Sequence, residues 1–346
     1  MAEQLLEVRN LKVSFRTEDG VVRAVDGVSF TVSEGETLGI VGESGSGKSV
    51  TMMSVMRLII DPNATFEGEV IYKGRDLMSL NQAELRQVRG SEIAMIFQDP
   101  MTSLNPVYRV GWQISEQIRA HERVSKQAAR ARAIELLQAV GIPHPAERVD
   151  DFPHQFSGGM RQRVMIAMAL SCSPSMLIAD EPTTALDVTI QAQILELIRK
   201  LKDEFGSAVV LITHDMGVVA DVADRVAVMY AGRIVEMGSK HDVFYDAEHP
   251  YTWGLLGSIA RIDRPKPRRL TTIRGLPPSL INLPPGCAFG PRCPQRFEMC
   301  DQVPELAPRA AFDHTDACHL DPTIKRNRRD RTIHPELVEG TNEQSA

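Results

Sequence analysis

The stretch Thr37-Leu38-Gly39-Ile40-Val41-Gly42-Glu43-Ser44-Gly45-Ser46-Gly47-Lys48-Ser49 is a short apolar run that ends in a glycine-rich loop. Its last eight residues match G-x-x-x-x-G-K-[ST]. The apolar run predicts a buried strand. Lys48 to about Ile60 predicts a helix, stopped by Asp61-Pro62-Asn63. Strand, glycine loop and helix in this order make a phosphate cradle. Backbone N–H groups point inwards, glycines let the backbone come close, and the helix adds its positive N-terminal end. Lys48 is expected to neutralise the β- and γ-phosphates of a nucleotide, and Ser49 to ligate Mg2+.

Around this loop the pattern is that of an α/β protein. Leu11, Val13 and Phe15 alternate with polar neighbours up to a turn at Glu18-Asp19-Gly20, and Val22 to Val32 alternates again. Further strands are expected at 69–72, 93–97, 176–180 and 208–213. Helices are expected near 160–171 and 190–205, and a late hairpin turns at Ala231-Gly232-Arg233. Alternating strands and helices imply a mostly parallel sheet with helices on both faces. Residues from about 99 to 160 break that rhythm. Ser125 can cap a helix in which Ala133, Leu136, Leu137 and Val140 share a face, ended by Gly141 and Pro143. This stretch reads as a helical subdomain inserted into the α/β body.

The chain has 346 residues, 43% apolar and 24% charged, with a net charge of −6. Wholesale disorder, collagen and coiled coil are excluded. An acidic chain is a poor general binder of nucleic acid, so no nucleic-acid partner is expected. No apolar run approaches the roughly 20 residues of a membrane span. Met1 to Glu7 do not read as a secretory leader, so a cytoplasmic protein is expected.

Phosphate binding alone leaves several nucleotide enzymes open. Met176 to Asp180 is an apolar run ending in the pair Asp180-Glu181. Asp180 at a strand end can hold Mg2+ through water, and Glu181 can act as general base on the attacking water. Gln98 and His214 each follow a predicted strand, where ligands bind in open α/β sheets. Gln98 can reach Mg2+ and water.

The segment Phe156-Ser157-Gly158-Gly159-Met160-Arg161-Gln162-Arg163 decides the class. In order with Gln98, Asp180-Glu181, Ala185-Leu186-Asp187 and His214, it resembles the signature of ABC-type ATPases. The resemblance covers residues 5 to about 320. It implies an α/β P-loop ABC-type ATPase with an inserted helical subdomain, an antiparallel β portion and a Pro/Cys-rich C-terminal extension. It implies that two such units close head to tail over two ATP molecules. Ser157, Gly158 and Gly159 then face the partner's γ-phosphate, and Asp187 couples the two sites. Glu181 activates water and His214 orients it. Phe15 stands where an aromatic ring stacks on adenine.

Three further segments are similar to the dipeptide/oligopeptide importer branch: Phe97 to Pro106, Asp180 to Thr189, and His249-Pro250-Tyr251-Thr252. This likeness implies an ATPase at the cytoplasmic face of the inner membrane. Its partners are a second ATPase, expected to be a different chain, two permease subunits and an external solute-binding protein. Met101, Leu104, Val107 and Tyr108 are expected to offer the permease an apolar groove. The competing reading is a soluble ABC ATPase acting on nucleic acid or the ribosome. A single phosphate loop and the acidic charge weigh against it. The domains expected are the ATPase over 1–262, with the helical subdomain at about 99–160, the extension over 263–322, and a disordered polar tail over 323–346.

Four of the five cysteines cluster as Cys287-x5-Cys293-x6-Cys300-x17-Cys318. Two disulfides are rare in reducing cytosol, and the C-x2-C spacing of structural zinc is absent. Four thiolates suit an iron–sulfur cluster, and Cys293-Pro294 is similar to the ferredoxin Cys-Pro. Some importer ATPases of this branch carry a [4Fe-4S] cluster, so a structural or regulatory cluster joins ATP and Mg2+ as an expected cofactor. Cys172 is expected only to fill space beside an apolar helix.

Overall fold

The computed structural model describes residues 3–99, 103–184, 187–259, 273–308 and 313–333. The chain divides into two compact units that take turns along the sequence. One gathers Met1–Glu7, Thr31–Thr37 and Val70–Ile212. The other gathers Val8–Phe30, Leu38–Glu69 and everything from Thr213 onwards.

The first unit is built on the parallel strands Ile93–Ile96, Met176–Asp180 and Ala208–Thr213. Every residue in them is buried, which explains their unbroken apolar character. Their register pairs Ile96 with Ala179 and Asp180 with Ile212. It therefore delivers Gln98 and Glu181, just past two neighbouring strands, to one edge of the sheet.

The predicted helical insert is present. Val110–His121 packs on Lys126–Ala139 through buried Ile114, Ile118, Ala133 and Leu137. The Ser125 hydroxyl accepts from the Ala128 N–H, as a cap should. The helix Gly158–Ala169 packs against both of these helices and against the strand Ile93–Ile96. The helix Val188–Phe205 buries Ile194, Leu195, Ile198 and Leu201 on one stripe and stops at Gly206. Among the short helices that were not expected is Gln82–Val88. It is started by a capping box between Asn81 and Glu84.

In the second unit Thr37–Val41 pairs parallel with Arg225–Tyr230, which pairs antiparallel with Arg233–Ser239. Arg233–Ser239 takes Thr315–Asp316 on its other side, Glu236 opposite Asp316. The long strands Gly20–Ser33, Gln4–Thr17 and Ala64–Tyr72 lie side by side in that order. The unit's core joins Val41, Val228, Tyr230, Tyr251 and Trp253 to Phe289 and Leu320, so residues of the C-terminal extension are part of it.

Two expectations need correction. The helix after the phosphate loop runs only over Lys48–Val55, because Arg57 turns into the left-handed region (φ 48°) and Leu58 bonds back to Met53. The polar tail, expected to be disordered from 323, begins as the helix Pro322–Ile333. One reason is Lys325. Its ammonium is buried and ion-paired with Asp316 at 2.6 Å and Glu248 at 3.5 Å. Residues 334–346 lie outside the described residues. Among its described residues the proline-rich segment forms short 3-10 turns, Gly290–Arg292 and Glu298–Asp301, and the two-residue strands Ala307–Pro308 and Thr315–Asp316. No described helix is long and apolar enough to cross a membrane.

Candidate nucleotide site

The phosphate loop lies in the second unit, between the strand Thr37–Val41 and the helix Lys48–Val55. Two of its glycines are fixed by space as well as by angle. A Cβ at Gly42 (φ 152°) meets the Met229 carbonyl oxygen at 2.2 Å, and one at Gly47 (φ 99°) meets the Ala24 carbonyl oxygen at 2.3 Å. Ser44 and Gly45 are exposed at the loop's tip. Lys48 is buried and folds back over the loop, its ammonium donating to the carbonyls of Gly42 (2.8 Å) and Glu43 (3.0 Å). The buried Ser46 hydroxyl has no hydrogen-bond partner among the described residues. A tight backbone cradle, an orphaned hydroxyl and a buried ammonium fit a phosphate chain. Ser49 is half-buried on the first turn of the helix. Phe15, on Gln4–Thr17, is partly exposed, and His214 is exposed just past Ala208–Thr213, both in this same unit.

The first unit brings the remaining hydrolytic candidates together. Asp180 is buried at the end of its strand. The Glu181 carboxylate accepts from Gln98 Nε2 at 3.0 Å and from Thr184 Oγ1 at 2.8 Å. Glu181 also holds a left-handed backbone (φ 45°), tied by its N–H to the Ile212 carbonyl at 2.9 Å. Thr184 was not expected; a hydroxyl three residues beyond the carboxylate was its one sequence signal.

The signature serine caps an exposed helix start. Ser157 accepts from the Met160 N–H at 3.3 Å, which leaves the first amides of Gly158–Ala169 facing outwards. Asp187 likewise caps Val188–Phe205, accepting from Ile190 at 3.0 Å. A Cβ at Gly159 would meet Ile190 Cγ2 at 3.0 Å, so the two helix starts adjoin. Ala185 and Leu186 lie outside the described residues, as does Met101. Leu104, expected in the permease groove, is 2% exposed; it packs inside the insert. Val107, Tyr108 and Trp112 are exposed, with Tyr108 stacked on Trp112 at 4.2 Å.

Cys287, Cys293, Cys300 and Cys318 line one cavity with His249, Phe289 and His319. The expected cluster geometry is nevertheless absent. No three His, Cys, Asp or Glu groups among the described residues are placed to hold a metal ion. The four thiols are spread over 32 residues, Cys300 in the turn Glu298–Asp301 and the other three in irregular backbone, with no C-x2-C knuckle to converge two of them. Burial pushes the Cys293 thiol up to about 11 and the Cys318 thiol up to about 12. None of the four forms a disulfide. Burial likewise pushes up the Cys172 thiol, which fits its expected space-filling role.

A phosphate loop, a strand-end Asp-Glu pair and a capped Ser-Gly-Gly helix define the ATP-binding cassette class of ATPases. A family profile described as "ABC transporter" matches residues 25–184, and one described as "Oligopeptide/dipeptide transporter, C-terminal region" matches 235–300. The oligopeptide transport ATP-binding protein OppD of Bacillus subtilis is 59% identical over 290 residues, 84% of this chain and 81% of that protein. The dipeptide transport ATP-binding protein DppD of the same organism is 54% identical over 319 residues, 92% of this chain and 95% of that one. A dimeric ATP-binding cassette solved in a post-hydrolysis state with ADP and Pi superposes with a TM-score of 0.62 at 29% identity, covering 68% of this chain and 99% of that one. The chain therefore belongs to the ATP-binding proteins of ABC transporters, in the oligopeptide/dipeptide branch.

Proposed function

We propose that this chain is the ATP-hydrolysing subunit that powers import of di- or oligopeptides, or related small solutes, through a membrane ABC transporter. The observation that carries the reading is the union of two things in one chain. A full set of cassette residues is joined to a region matching the C-terminal region of oligopeptide/dipeptide transporters. The chemistry assigned is ATP hydrolysis. Lys48 and the loop amides bind the phosphates. Ser49, Gln98 and Asp180 would hold Mg2+, whose charge would screen the phosphates when it is bound. Glu181 takes the proton of the attacking water, with Gln98 and Thr184 fixing its carboxylate and His214 orienting the water. Phe15 stacks on adenine. Ser157, Gly158, Gly159 and Asp187 serve the nucleotide of a second ATPase, and that pairing makes the working unit a dimer.

The assembly proposed adds two permease subunits and an external solute-binding protein, with this chain peripheral on the cytoplasmic side of the membrane. Residues 1–262 act as the cassette and 263–322 as its branch-specific extension. The test is a mild-detergent pull-down of the tagged chain from native membranes. Co-purification of two multi-span permeases and a second ATPase supports the reading; ribosomes or nucleic acid without a membrane protein overturn it. The four-cysteine cavity is the one support for a [4Fe-4S] cluster, and anaerobic purification tests it. Iron with a charge-transfer band establishes the cluster, and iron-free, colourless protein leaves a thiol-lined packing cavity.

A further inference from the structure

We propose that Arg292, from the proline-rich C-terminal segment, is a positioning residue of the phosphate loop and acts through Glu43. The inference rests on the nucleotide-site reading above and adds to it a residue from far along the chain. Arg292 holds Glu43 through two parallel bonds, Nη1 to Oε2 at 2.5 Å and Nη2 to Oε1 at 2.9 Å. The guanidinium is itself fixed on every nitrogen. Nε donates to the Arg274 carbonyl at 3.0 Å, Nη2 to that of Gly275 at 3.1 Å, and Nη1 to the Tyr230 hydroxyl at 3.3 Å. Its side chain is 6% exposed. A forked pair of this kind fixes orientation as well as charge.

Glu43 is the second residue of the loop, and it is gripped at three points. Arg292 holds the carboxylate, the Tyr251 hydroxyl accepts from its N–H at 2.8 Å, and its carbonyl accepts from Lys48. Moving Glu43 therefore moves an acceptor that places the Lys48 ammonium. Charge gives a second reason. A carboxylate on a loop that takes a polyanion repels it, and Arg292 cancels that carboxylate. Tyr230, Tyr251 and Phe289 pack ring on ring behind the pair, so the clamp is backed by the unit's core.

The test measures ATP affinity of the full chain, with KM and kcat in the assembled transporter. R292A is expected to raise the ATP Kd about tenfold and to raise KM by more than it lowers kcat. R292A/E43Q is expected to regain at least about threefold of that affinity, because the unpaired carboxylate is gone; a loss of mere packing would not be repaired this way. R292K keeps the charge but not the fork, and an intermediate affinity is expected. It carries the test if R292A does not fold. Wild-type affinity in folded R292A or R292K overturns the proposal, and so does a double variant no better than R292A. K48A is the separate control. Undiminished ATP binding there sinks the nucleotide-site reading itself, whatever Arg292 does.

Discussion

At the scale of single residues, the site depends on side chains and backbone angles that leave little latitude. Glu181 keeps a left-handed backbone that costs a non-glycine residue roughly 1–2 kcal/mol, while Gln98 and Thr184 hold its carboxylate. E181Q keeps the shape and loses the base. ATP hydrolysis by the assembled transporter should fall by about 10²–10⁴-fold while ATP still binds; undiminished turnover removes Glu181 from its role. Gly42 allows no side chain at all. In G42A the new methyl strikes the Met229 carbonyl, and ATP binding should be lost with a destabilisation of about 1–3 kcal/mol, read by calorimetry and nucleotide titration. The residues of the loop were legible in the sequence because a phosphate cradle is local: eight consecutive positions carry it. Gln98 and Glu181 were legible because each follows an apolar strand. Arg292 was not, since nothing near it in the chain hints at a carboxylate 249 positions away.

At the scale of elements, legibility followed how much of an element's stability is local. The helix Lys126–Ala139 carries its own cap and apolar stripe and was read with its ends in place. The helix Pro322–Ile333 has a strongly polar sequence and was missed. Its anchors, the buried Lys325, the Arg329–Asp246 pair and the packing of Ile333 on the core, all depend on partners outside the helix. Removing that lysine strands a buried carboxylate, so K325A should destabilise the second unit by about 3–5 kcal/mol in urea unfolding. A wild-type midpoint would show the pair to be inert. The helix Pro250–Gly257 starts from His249, whose neutral Nδ1 accepts from the Tyr251 N–H at 3.1 Å. Burial holds this histidine down at about 4 against an ordinary 6.5. Between those values the unfolded chain binds more protons than the folded one, so His249 makes stability fall as pH drops from 6.5 towards 4. His314 runs the other way. Burial lowers its pKa, but the bond to Glu236 and that residue's charge outweigh burial and raise it. Its contribution is whole below 6.5 and is lost as pH rises through the folded value. H249N keeps a capping side chain and removes the first effect. It should lose less stability than the wild type between pH 7 and 5, by about 2 kcal/mol at pH 5. Parallel acid limbs in the two proteins would refute the assignment.

At the scale of the whole molecule, the exposed Val107, Tyr108 and Trp112 form an apolar patch on the helical insert, and the proposed assembly assigns it to the permease. W112E should weaken permease capture in detergent and slow transport in vesicles, with ATP affinity of the free chain unchanged. Full permease recovery would move the docking face elsewhere. This surface was half legible. Tyr108 and Val107 were named from their apolar character, but Leu104 in the same run turned inwards, a choice made by tertiary packing that periodicity in a loop does not reveal. The phosphate loop, by contrast, was readable as a contiguous motif, yet its supports come late. Tyr251 and Arg292 belong to the same compact unit as Glu43 but are separated from it by most of the chain. At about 5–20 residues per second, a ribosome that has just made the loop needs roughly 12–50 s more to reach Arg292. During that interval the nascent loop carries an unpaired carboxylate and lacks its tyrosine. On the effect of about tenfold expected for R292A, the chain reaches its full ATP affinity only once its far end has been made and folded onto the loop.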